Sequence, residues 1–141
     1  HLHGGRVVQA LRRGDAPPSG GPAWLVAAPV ADLAVHLADL REALGAPADT
    51  GGVTARFGFA AYREWLHARL VAAGLPGIRL TDGRREWPVG PGEPVGSVTA
   101  SAYELFRTIT GRRSAAGIRR LDWTTDPTPY LDAIAPYPLP D

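Results

Sequence analysis

The sequence predicts an α+β fold, and three observations carry that reading. Apolar residues recur at helical spacing from Val30 to Leu44 and from Val53 to Ala73. The pattern then switches to strict alternation at Ile78 and Leu80, against Arg79 and Thr81. It returns to helical spacing after Ser101. Runs of helix, then strand, then helix mark an α+β chain or two small domains. The boundary is placed in Ala46–Gly52, giving domains 1–48 and 49–141.

The elements follow in order. Arg6 to Arg13 reads as the end of a helix, with Val7, Val8 and Leu11 on one side. Asp15 to Pro22 is a Pro/Gly/Ser linker. Ala23 to Ala28 is apolar and leads into Pro29, a favoured first-turn residue, so a helix is expected from Val30 to Leu44. Gly45 and then Pro47 stop it. A second helix, Val53 to Ala73, carries Phe57, Ala61, Trp65, Leu66 and Leu70. Gly74 ends it and Pro76 follows. Asp82-Gly83 predicts a two-residue hairpin turn between the strand at Ile78 and the strand holding Trp87 and Val89. A third strand is expected over Val95–Ala100, completing a hairpin-containing antiparallel sheet. Ser101 and Glu104 have capping-box spacing and open a helix that Gly111 stops. Ser114 caps a further short helix with Ile118 and Leu121. The Pro-rich tail from Asp126 is expected to pack as an extended strap.

Composition narrows function by exclusion. The 141 residues carry a net charge of +1, with 45% hydrophobic and 21% charged residues. That content builds a core, and the charge is too small for a chain that binds nucleic acid by electrostatics. No apolar run approaches the ~20 residues that span a membrane. No signal peptide is visible, so cytoplasm is expected. Cys, Met, Lys and Asn are absent, and all 15 basic residues are Arg. Without Cys there is no thiolate nucleophile and no Cys-based zinc site. The Arg-rich, Lys-free composition matches the coding bias of a GC-rich genome.

Chemistry concentrates at two places. Leu33, Leu37, Leu40 and Leu44 form an apolar stripe on the first long helix. Asp32, His36 and Asp39 form a second stripe about 100° round. One turn of helix puts Asp32 and His36 roughly 5–6 Å apart at Cβ. A carboxylate and an imidazole so placed can grip one divalent metal. They can equally form a general-base pair, or a plain Asp–His contact on a solvated edge. His1 and His3 are possible further ligands, or the remnant of a tag or of a surface helix; His67 reads as a partly exposed helical histidine. The second place is Gly111-Arg112-Arg113-Ser114, between two helices. Guanidinium groups beside a helix start suit a carboxylate or phosphate. The same residues also read as a Gly C-cap followed by a Ser N-cap, with Arg favourable at the first helix's negative end. Trp87, Trp123, Phe106 and Tyr103 read as core.

Two segments together resemble a known family. Asp32-Leu-Ala-Val-His36-Leu-Ala-Asp39-Leu-Arg41 resembles the acidic-x3-His-x2-Asp-hydrophobic-Arg pattern of the mycothiol-dependent maleylpyruvate isomerase family. Glu104-Leu-Phe-Arg-Thr-Ile-Thr-Gly111-Arg112-Arg113-Ser114 resembles the helix ending in Gly-Arg of its C-terminal domain. The resemblance implies the remnant of a DinB-like metal-binding bundle followed by a small α/β domain. It implies a divalent metal, usually zinc, on His36 and Asp32, the latter often Glu in the family. It implies that Arg112 binds a substrate carboxylate, with Arg113 toward the cosubstrate. Mycothiol would be that cosubstrate, and thiol addition, transfer or cis-trans isomerisation on a small carboxylate electrophile the reaction. The composition suits the actinobacteria that make mycothiol. His1-Leu2 resembles the His-Leu pair of an early bundle helix, but lies only 35 positions before His36. The chain is therefore expected to hold the last part of the bundle plus the whole C-terminal domain. The alternative is a non-catalytic small-molecule or protein-binding module that keeps the fold without the metal.

Overall fold

The computed structural model describes Gln9 and residues 22–141. The helix end read at Arg6–Arg13, the linker up to Gly21, His1 and His3 lie outside the described residues. Among those described, helices and one small sheet make an α+β chain. Contacts divide it into two compact units, 1–64 and 65–141.

Unit 1–64 holds the first long helix, α1, Pro22–Ala43. It starts a full two turns earlier than Pro29 suggested, and Pro29 lies inside it. The reason is local. Pro29 lacks only one backbone donor, and the Ala-rich run on either side favours helix strongly enough to continue through it. Pro29 itself is exposed.

The buried stripe of α1 is not the leucine stripe. Ala27, Ala31, Ala34, Val35 and Ala38 are buried, whereas Leu33, Leu37, Leu40 and Leu44 are exposed. At about 100° per residue the Ala, Asp/His and Leu stripes divide the helix into three faces. The sequence reading takes the leucines alone as the apolar stripe; the alanine face has the same period, and period does not rank the two. The second helix, α2, Val53–Ala72, crosses from one unit into the other. Its buried residues in unit 1–64 are Phe57, Gly58, Phe59, Ala60, Ala61 and Tyr62.

Unit 65–141 is built round a four-stranded sheet of order β2-β1-β3-β4. Its strands are β1, Ile78–Thr81; β2, Glu86–Val89; β3, Ser97–Thr99; and β4, Asp122–Trp123. The alternation read at Ile78 and Leu80 is the burial pattern: both are fully buried, with Arg79 and Thr81 on the other face. β1 and β2 form the antiparallel hairpin, but β3 runs parallel to β1. The sheet is therefore mixed rather than wholly antiparallel.

The parallel step follows from the loop 90–96. It passes beneath the start of β1, where Gly77 N–H donates to Pro91 O and Val95 N–H to Gly77 O. The chain thus reaches the far side of β1 already pointing the same way. The crossing is close: a Cβ on Gly77 would meet Pro91 O at 2.8 Å, and one on Gly90 would meet Gly77 Cα at 2.8 Å. β4 pairs with β3 over two residues, too short for any period to announce it.

The hairpin turn is shifted by one residue from the reading. Asp82 N–H donates to Arg85 O, so Gly83 and Arg84 form the tip, with Gly83 at φ +84°. Glycine first at the tip, with positive φ, fits the type II′ pattern. Asp82 instead braces the turn, its Oδ1 accepting from Arg84 N–H at 3.0 Å and Arg85 N–H at 2.7 Å.

Two short helices complete the unit: α3, Ala102–Ile109, and α4, Ala115–Arg119. The predicted caps are present. Ser101 Oγ accepts from Glu104 N–H, and Ser114 Oγ accepts from Gly117 N–H. The tail is not an extended strap. Residues Thr128–Tyr130 form a 3-10 helix, and Leu131, Ala133, Ile134 and Ala135 are buried in the turns that follow. The tail's apolar residues need a compact path to reach the core, which an extended chain would not give. Among the described residues no helix is long and apolar enough to cross a membrane.

Candidate functional site

Each unit carries one of the two clusters found in the sequence. In unit 1–64, the 3.6-residue repeat of α1 stacks Asp32, His36 and Asp39 along one side. His36 Nε2 lies 3.2 Å from Asp32 Oδ2, and Nδ1 lies 3.8 Å from Asp39 Oδ2. The imidazole is thus flanked by carboxylates on both edges. The Asp32 and His36 side chains are 57% and 62% exposed, so water screens the contact and its stabilising effect is small.

This geometry brings together the two residues anticipated as metal donors. An imidazole nitrogen and a carboxylate oxygen are both donors that zinc accepts. Asp39 stands at the opposite ring nitrogen, so one ion on Nε2 cannot also bind it; that carboxylate would instead orient the ring. Among the described residues no group of three or more His, Cys, Asp or Glu side chains is arranged to hold a metal. Two donors do not by themselves complete a zinc site.

In unit 65–141, the second cluster sits where α3 ends. Gly111, at φ +76°, lets the chain turn back: Gly111 N–H donates to Thr108 O, and Arg112 N–H to Arg107 O. These are the two bonds of a Schellman motif, a left-handed residue that glycine adopts without strain. The Gly C-cap and Ser N-cap expected from the sequence are both formed.

The turn aims the two arginines differently. Arg113 reaches back along α3 and grips Glu104 with two parallel bonds, Nε to Oε2 and Nη2 to Oε1, each 2.8 Å. Its Nη1 donates to Arg112 O. All three nitrogens of Arg113 therefore meet protein acceptors, in a bidentate pair that fixes the loop to the helix. Arg112 Nη1 donates to Thr110 O at 2.7 Å, holding its guanidinium beside the turn. Both side chains are half-buried.

Three polar residues of this unit were missed or underread. Arg107 is only 3% exposed, with its guanidinium 6.0 Å from the Tyr103 ring centre. Its sequence position looks like an ordinary last-turn basic residue, so nothing marked it as buried. Arg69, in the last turn of α2, donates from Nε to Ala133 O and from Nη2 to Asp132 O. No local signal could reveal partners more than sixty positions away. His67 is exposed, as read, but its Nδ1 accepts from Gly90 N–H at 3.1 Å and so braces the loop under β1. Of the four rings read as core, only Phe106 is buried; Trp87, Tyr103 and Trp123 are half-buried, Trp123 donating to Ile118 O and stacking on Tyr130.

No protein-family model, curated protein or solved structure matches the chain.

Proposed function

We propose that the chain acts on a small carboxylate electrophile with the help of an external low-molecular-weight thiol, in the manner of the mycothiol-dependent maleylpyruvate isomerases it resembles. The observation that carries the reading is the Asp32–His36 contact of 3.2 Å on an open helix face. Asp32 and His36 would supply two donors to a divalent ion, zinc in the family, and Asp39 would hold the ring's other nitrogen. A bound ion of that kind lowers the pKa of a thiol and yields thiolate near neutral pH. Arg112, anchored beside the Gly111 turn, would take the substrate carboxylate through its planar fork. The absence of Cys makes the thiol an external one. The reading places the protein in the cytoplasm, where thiols stay reduced.

A second reading has its own support. Arg113 is committed to Glu104, and the donor set on α1 stops short of a complete site among the described residues. Both facts suit a binding module that keeps the fold without metal chemistry. Equilibrium dialysis against zinc separates the two. The first reading expects about one zinc per chain, lost in His36→Ala, and mycothiol-dependent turnover of maleylpyruvate that falls in Arg112→Gln. Zinc-free protein with no turnover would leave the binding module standing.

A further inference from the structure

A cavity in unit 65–141 carries charge that neither cluster uses. Its volume is about 540 Å3. Arg69 of α2 and Arg119 of α4 stand in its wall. Leu131, Tyr137 and Leu139 give it apolar surface, and Asp132 is the one carboxylate among the lining residues. The wall is thus two guanidinium groups against one acid.

The two arginines are held differently. Arg69 is half-buried and fixed by its own backbone partners: Nε and Nη2 donate to Ala133 O and Asp132 O at 2.9 and 3.1 Å. Those bonds occupy one edge of the planar group. Among the described residues no hydrogen bond uses the edge formed by Nη1 and the second hydrogen of Nη2, which has the spacing that takes a carboxylate bidentately. A guanidinium already immobilised loses little freedom when it binds, which favours affinity. Arg119 is exposed. Its charge is felt by Asp126, whose carboxyl is held below its usual range mainly by Thr128 N–H and to a lesser extent by Arg119. Asp126 does not line the cavity.

The size falls within the ~300–1,000 Å3 of small-molecule sites. The apolar wall gives bare phosphate nothing to pack against, while an organic body would cover it. The sequence also lacks a glycine-rich phosphate loop. We propose that this cavity binds a small organic carboxylate, its anionic end on Arg69 and Arg119 and its apolar body against Leu131, Tyr137 and Leu139. The site is separate from the carboxylate role proposed for Arg112.

The test titrates the whole chain with benzoate, benzamide and inorganic phosphate, followed by calorimetry and by backbone amide shifts. Benzoate is expected to saturate one site and to shift amides in residues 131–139. Benzamide and phosphate should each bind about tenfold more weakly or not at all, since each lacks one half of the match. Arg119→Gln, at an exposed position that should fold normally, is expected to weaken benzoate about fivefold. Arg69→Lys keeps the charge but not the planar edge, and should weaken it further. Arg84→Gln, at the exposed hairpin tip, should leave benzoate binding unchanged. The proposal is overturned if benzamide or phosphate binds as well as benzoate, if Arg119→Gln has no effect, or if the amides that benzoate shifts cluster at residues 110–114 instead of 131–139.

Discussion

Single residues in this chain are constrained most where backbone meets backbone. Gly90 combines two demands: a φ of +86°, and a Cβ direction that points at Gly77 Cα (2.8 Å) and Leu70 Cδ1 (3.0 Å). Gly90→Ala is expected to destabilise by about 1–3 kcal/mol from the dihedral alone, with the close approach adding to it. Gly83, at φ +84° but with nothing within 4 Å of its Cβ, makes a control that carries only the dihedral cost. Urea denaturation of both variants separates conformational strain from crowding. Equal losses would show that the Gly77–Gly90 crossing has slack. His67 belongs to the same corner, and its acceptor role was not readable from sequence because Gly90 lies twenty-three positions away.

At the level of elements, α1 and the β1–β2 hairpin make opposite points about what a sequence shows. On α1 the two apolar stripes are equally regular, and the larger residues are the ones left outside. Small side chains allow close packing along the Ala face, a property that hydrophobic period alone does not rank. Leu40→Gln is therefore expected to change stability by no more than about 0.5 kcal/mol. Ala31→Leu, on the buried face, should cost about 1–3 kcal/mol through overpacking. Thermal unfolding of the pair decides it; a larger loss at Leu40 would mean the leucine face is the buried one.

The hairpin was legible as far as its strands and their inward residues, because alternation states them directly. Its tip was misplaced by one position because Asp82 and Gly83 can each serve a turn in two registers. Side-chain bonding of Asp82 to the two following N–H groups selects the observed one. Those bonds, Arg85 N–H first and Arg84 N–H next, with the Arg85 guanidinium assisting, push the Asp82 pKa down to about 2. A carboxyl lowered in the folded state stabilises it above the ordinary aspartate value and ceases to do so as pH falls toward 2. The wild-type urea midpoint should thus drop more between pH 5 and pH 2 than that of Asp82→Ala. Parallel acid profiles for the two proteins would remove Asp82 from the account. The candidate site divides in the same way. The Asp32–His36 pair and the Gly111–Ser114 caps follow from local spacing, whereas the bidentate hold of Glu104 on Arg113 needs the turn to be built first.

At the scale of the molecule, unit 65–141 is closed by its own C-terminal segment, contrary to the look of a Pro-rich tail. Asp126 Oδ1 accepts from Thr128 N–H and starts the 3-10 turn. Tyr130 then stacks on Trp123 and donates its hydroxyl to Pro76 O at 3.1 Å, and Ile134 N–H donates to Tyr130 O. Tyr130 and Ile134 are 3% and 1% exposed, so the segment fills core rather than covering it. Ile134→Ala should cost about 2–5 kcal/mol, as for other buried aliphatic truncations. Tyr130→Phe should cost about 1 kcal/mol, the ordinary worth of one hydrogen bond. The pair should be non-additive, since the two residues share a turn. Burial also raises the Tyr130 pKa. An acid raised in the folded state is stabilising below its unfolded value and turns against folding above it, because the unfolded chain ionises first. Wild-type stability is therefore expected to fall more steeply above pH 10 than that of Tyr130→Phe, as read by urea midpoints from pH 8 to pH 11. If the two curves stay parallel, the tyrosine hydroxyl is in contact with water and the segment is a surface strap after all.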